Sequence, residues 1–198
     1  TAVLVLVAAD GPARGVLGTG DQPLIAADRA DYLSRLCLAL EQPGVDGVIG
    51  TPDVLDELLL LAALEGRIVV GAMNYGGIVG SQFELDDVFT GYDAESLAGV
   101  RYNGALIRLR MNLDDPNGAR VLERGASAVD DLANHRLLTM IEPSLASVVD
   151  GRVVDDLTAD GLIRAIAIAT ALGRTSRNMW LSLPVVAGLD RVIRSTTV

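Results

Sequence analysis

The chain alternates short aliphatic runs with longer amphipathic stretches. Residues 2–9 form a continuous aliphatic run with many β-branched side chains, the pattern of a parallel strand covered on both faces. It ends at Asp10-Gly11-Pro12, a turn signal that leaves a carboxylate at the strand's carboxyl end. Asp28 is placed to cap a helix over 29–41, where Tyr32, Leu33, Leu36 and Leu40 recur at helical spacing until Pro43-Gly44 stops it. The theme repeats, with strands expected over 45–50, 67–73, 104–111, 135–141 and 177–186. Helices are expected over 52–65, 93–97, 118–134 and 158–172, and a short one near 189–193. A loop over 78–92 is longer than a connector needs and carries Glu84, Asp86 and Asp87.

Strand and helix in strict alternation, with no run of adjacent strands, predict an α/β protein whose parallel sheet is built from right-handed crossovers. An open doubly wound sheet and a (β/α)8 TIM barrel both satisfy that pattern. Asp10, Asn74, Glu142 and Ser182 all fall at strand carboxyl ends, and Arg110 lies near the end of the fourth strand. Barrel closure would gather them at one mouth, so the reading favours a barrel. The chain is read as a single domain over 1–198 with about six βα units, short of the eight that close a barrel. The last strands are therefore expected to lie outside this sequence.

Composition narrows the function. The 198 residues are half hydrophobic and carry a net charge of -10, which speaks against a nucleic-acid partner. The longest apolar run, 58–64, is far below the roughly 20 residues that span a bilayer, and no signal peptide is read at the start. The single Cys37 sits in an apolar helical pattern as a structural thiol, consistent with a cytoplasmic protein. One histidine and one cysteine leave no usual zinc set, so no metal and no cofactor are expected. A Mg²⁺ site on Asp10 and Glu142 is the alternative. All sixteen basic residues are arginine; there is no lysine.

Asp10 and Glu142 are candidates for an acid–base pair, against the simpler reading that they cap loops or hold arginines. Arg110 offers its fork of donors to a carboxylate or phosphate, or else forms an interior ion pair with Glu142. Asn74 is placed to orient a substrate hydroxyl. Ser182 is read as a hydrogen-bonding group; as a nucleophile it lacks a base, because His135 is expected to begin a strand at the opposite end. Gly76 and Gly77, and the glycines over 15–20, could turn backbone N–H groups toward a phosphate.

Several stretches together resemble an actinobacterial family of aldolase-like (β/α)8 proteins related to deoxyribose-phosphate and fructose-bisphosphate class I aldolases. They are Ala8-Ala9-Asp10-Gly11-Pro12-Ala13-Arg14-Gly15, Pro43 through Asp53, Met73-Asn74-Tyr75-Gly76-Gly77 and Ile141-Glu142-Pro143. Asp150-Gly151-Arg152-Val153-Val154, Leu172-Gly173-Arg174-Thr175-Ser176 and Trp180-Leu181-Ser182-Leu183-Pro184-Val185-Val186 complete the set. The resemblance implies a small-molecule substrate, a sugar phosphate or related carbonyl compound, and admits a homo-oligomer. It also implies a lysine that forms a Schiff base, but that position holds Ser182. A second expected lysine falls near Leu106, and a common histidine is replaced by Gly11. Three readings follow: an aldolase-like lyase working by acid–base chemistry without a Schiff base, an inactive homologue serving as a binding or scaffold module, and a class I aldolase whose lysine was substituted or lies in missing sequence.

Overall fold

The computed structural model describes residues 3–86 and 88–196; Asp87 of the long loop lies outside them. Five strands, β1 (Leu6–Ala9), β2 (Gly47–Gly50), β3 (Ile68–Ala72), β4 (Gly104–Met111) and β5 (Leu138–Val149), pair in that order, all parallel. Between them run α1 (Arg29–Leu40), α2 (Pro52–Leu60), α3 (Ala94–Gly99) and α4 (Gly118–Asn134).

Strand periodicity divides the side chains between two apolar layers. On β4, Ala105, Ile107, Leu109 and Met111 join helix residues such as Leu97, Val129 and Leu132 in the large outer core. Leu106, of the opposite parity, instead meets Val70 of β3 and Met140 of β5 in a small inner cluster, with Leu6 and Ile49 against it. The sheet therefore curls around its inner residues as a half-barrel, with the helices outside. Close strand approach explains Gly47, where a Cβ would lie 1.9 Å from the Ile68 carbonyl oxygen. Helix starts are specified locally: Asp28 accepts from the Asp31 N–H, and Asp93 and Ser96 form a reciprocal capping box.

The second half of the sheet departs from the sequence reading. His135 does not begin a strand; it caps the carboxyl end of α4, with Nδ1 2.9 Å from the Asp131 carbonyl oxygen. β5 (twelve residues in all) runs on past Glu142-Pro143 to Val149, and its far end pairs antiparallel with β6 (Arg152–Asp156). The expectation of no adjacent strands thus fails at one hairpin. Its turn, Asp150-Gly151, has positive φ at both residues, as a tight primed turn requires. After α5 (Ala159–Ala169), β7 (Met179–Leu181) returns to pair parallel with the first part of β5, and α6 (Leu189–Thr196) packs on α5 through Val192, Leu162 and Ile166.

Pro143 accounts for this change of partner. Odd-numbered residues of β5 turn their peptide groups toward β7: the Thr139 N–H donates to the Asn178 oxygen, and Ile141 O accepts from the Ser182 N–H. Pro143 has the same parity and no N–H, so the ladder stops there on that side only. On the other side Pro143 stays in register with Leu109 of β4. β7 and β6 therefore pair with successive parts of β5 and diverge from each other, leaving a fork beside Glu142 and Ser144.

Candidate active site

Two arginines on β4 organise the carboxyl ends of the strands. Arg108 and Arg110 share the parity of Leu106, so they continue the inner column upward, and both are more than nine-tenths buried. A buried guanidinium needs compensating charge, and each receives two carboxylates.

The Arg108 Nη2 lies 2.9 Å from Asp10 Oδ2 and 3.3 Å from Glu142 Oε2. One nitrogen thus ties the end of β1 to β5. Asp10 is buried, whereas a third of the Glu142 side chain is exposed. Asn74, just beyond β3, serves the backbone: its Nδ2 donates to Arg108 O at 2.7 Å, and its Oδ1 accepts from the Arg108 N–H at 2.8 Å. It thereby extends the β3–β4 pairing by a side chain.

Arg110 collects the loops. Its Nη1 donates to Glu84 Oε1 at 2.9 Å and to the Gly76 carbonyl at 3.0 Å, while Nε donates to Asp155 Oδ1 at 3.0 Å. Glu84 comes from the long loop and Asp155 from β6, so one side chain pins both over the mouth. Burial works against the charge on Glu84. The hydrogen bonds from Arg110 and the Gly80 N–H, with the charges of Arg110 and Arg14, outweigh it and hold the carboxyl below its ordinary range. Burial likewise opposes the charge on Arg110, but Glu84 and Asp155 raise its pKa overall.

Gly76 and Gly77 have a packing reason. Gly77, at φ 84°, brings the loop so close that a Cβ would lie 1.8 Å from the Glu84 carbonyl oxygen. Gly76, also at positive φ, lies against the Arg108 side chain.

A cavity of about 220 Å³ occupies the fork between β6 and β7; Arg14, Arg110, Glu142, Ser144, Asp155 and Ser182 are among its walls. Ser182 follows β7 directly, fixed by its N–H bond of 2.8 Å to Ile141 O. Three of the residues expected at strand ends, Arg110, Glu142 and Ser182, therefore share one cavity, with Asp10 behind Glu142 through Arg108. Sequence reasoning had not selected Arg14, Arg108 or Asp155 as site residues. The spacing of Arg108 and Arg110 was a sufficient signal for the second, since residues two apart on a strand share a face. Among the described residues no group of three or more His, Cys, Asp or Glu could hold a metal ion, and the Asp10 and Glu142 carboxylates both face a guanidinium.

With this geometry in place the chain can be compared with known proteins. Residues 2–198 match the model of the Cgl0159-like family. The chain belongs to that family. The crystal structure of Cgl0159 from Corynebacterium glutamicum is 46% identical, with a TM-score of 0.94, and covers 98% of this chain. The chain spans 66% of that family member's length. Similarity of fold extends to an archaeal fructose 1,6-bisphosphate aldolase, 16% identical with a TM-score of 0.55, covering 84% of this chain and 60% of that one. A Schiff-base-forming fructose-1,6-bisphosphate aldolase, 14% identical, has a TM-score of 0.58, covering 97% and 80%. A search of curated proteins finds no match. The fold of this chain is thus an α/β half-barrel similar to aldolase barrels. No helix among the described residues is long and apolar enough to cross a membrane.

Proposed function

We propose that this Cgl0159-like protein is an aldolase-type carbon–carbon lyase that acts on a small hydroxy-carbonyl compound by acid–base chemistry, its sheet forming part of a (β/α)8 barrel. The observation that carries the reading is the meeting of Asp10 and Glu142 on one nitrogen of Arg108, with Glu142 open to the fork cavity. Strand carboxyl ends are where barrel enzymes build their sites.

Glu142 takes the proton of the substrate's β-hydroxyl. The bond between the α- and β-carbons breaks, the β-carbon becomes the carbonyl of the departing fragment, and the electron pair moves into an enolate. Charge on the enolate oxygen is stabilised by Arg110 and the Ser182 hydroxyl, both cavity walls. Glu142 then returns its proton to the enolate carbon. Asp10 acts through Arg108 as a positioning residue. Ser182 takes the place where the resemblance expects the Schiff-base lysine.

The test is retro-aldol turnover of a panel of hydroxy-ketones, phosphorylated and not, with intact mass measured after borohydride treatment. The expected result is turnover that Glu142→Gln abolishes, with no covalent adduct. A trapped adduct, or turnover that survives both Asp10→Asn and Glu142→Gln, would overturn it.

A further inference from the structure

The charges at the mouth are not evenly matched in space. Asp10 and Glu142 are engaged by Arg108, and Glu84 and Asp155 by Arg110. Arg14 is different. Among the described residues its guanidinium has no hydrogen bond or ion pair, and its Nε is buried without a partner. Yet its side chain helps wall the fork cavity, alongside Glu142 and Ser182. Burial and then the neighbouring Arg108 charge disfavour its protonated form, more than Glu142 and Asp10 offset.

Its position is fixed by the backbone rather than by a salt bridge. Residues Pro12–Arg14 form one 3₁₀ turn immediately after Asp10, closed by Gly15 at φ 79°. The Arg14 N–H donates to the Gly11 oxygen at 3.0 Å, and the Arg14 oxygen accepts from the Val79 N–H at 3.3 Å. A turn held by backbone bonds therefore carries an uncommitted cation into a cavity whose two acids, Glu142 and Asp155, already have cationic partners. Such a group is relieved by an anion in the cavity, and a guanidinium suits the planar or forked oxygens of an oxyanion.

We propose that Arg14 is the anchor for an anionic group of the substrate, a terminal carboxylate or phosphate, held in the fork cavity beside Glu142. This inference rests on the reading of the cavity as the active site. It narrows the substrate to an anionic hydroxy-carbonyl compound entered from the β1 side. The resemblance, by contrast, would leave phosphate recognition to the last strands of the barrel.

The experiment is calorimetric titration of the purified protein at low salt with inorganic phosphate and, separately, with glycerate. Arg14→Ala and Arg14→Gln are titrated beside the exposed control Arg194→Ala, each first checked for native circular dichroism and melting. The expected result is binding of at least one probe, weakened tenfold or more in both Arg14 variants and unchanged in Arg194→Ala. Tighter phosphate binding identifies a phosphate monoester, and tighter glycerate binding a carboxylate. Failure of both probes to bind, or equal binding by wild type and either folded Arg14 variant, overturns the proposal.

Titration of Glu142→Gln separates the two ideas. Arg14-dependent anion binding that persists in Glu142→Gln, together with no lyase turnover by the wild-type protein, keeps the anchor and rejects the lyase. Lyase turnover with a KM unaffected by Arg14→Gln keeps the lyase and rejects the anchor.

Discussion

Glu142 and Glu84 show how the same side chain meets opposite surroundings at one mouth. Glu142 shares a single arginine nitrogen with Asp10 and opens to the cavity, while Glu84 is buried against Arg110 and a backbone N–H. In the proposed lyase reaction, replacing Glu142 by Gln removes the proton carrier, and turnover should fall by about 10²–10⁴-fold with little change in melting temperature. Glu84 should instead govern stability in acid. Its folded carboxyl lies below the ordinary range, so its contribution is full above the unfolded pKa and is lost as pH falls through the folded one. Thermal melts from neutrality down to about pH 3 should show a steep acid limb that Glu84→Gln flattens. An unchanged limb would count against this role. Replacing Arg110 by Met leaves two acids unpaired, and should cost about 3–5 kcal/mol in denaturant unfolding. Sequence placed Asp10, Asn74, Arg110, Glu142 and Ser182 at strand ends, and the structure brings them to one region. The ion-pair partners of Arg110 were not legible, because Glu84 and Asp155 come from a loop and a hairpin whose paths depend on tertiary contacts.

At the level of elements, the long loop and the β5–β6 hairpin depend on small backbone details. Gly77 cannot accept a Cβ without displacing Glu84. Gly77→Ala should therefore release the loop, at a cost of about 1–3 kcal/mol, and speed limited proteolysis between residues 78 and 92. Unchanged cleavage would show that the loop is held elsewhere. The helices and the first four strands follow directly from periodicity and caps, since local sequence decides them. The hairpin was signalled by Asp150-Gly151, yet Glu142-Pro143 read as a strand's end. Proline removes a donor from one edge of a strand only, and which edge faces a neighbour is not a local property.

On the scale of the molecule, the half-barrel keeps an inner cluster whose rim is open. Val3, Leu4 and Val5, leading into β1, are 81%, 42% and 47% exposed, and β1 pairs only with β2 among the described residues. Curvature itself was inferred from polar residues converging at strand ends, whereas the extent of closure could not be read from periodicity. The fork opened by Pro143 has one more consequence. A molecule lodged there would touch both branches at once, acting as a wedge that ties the hairpin to β7. Amide exchange should then slow together in β6 and β7 on saturation, two segments that share no hydrogen-bonded ladder with each other.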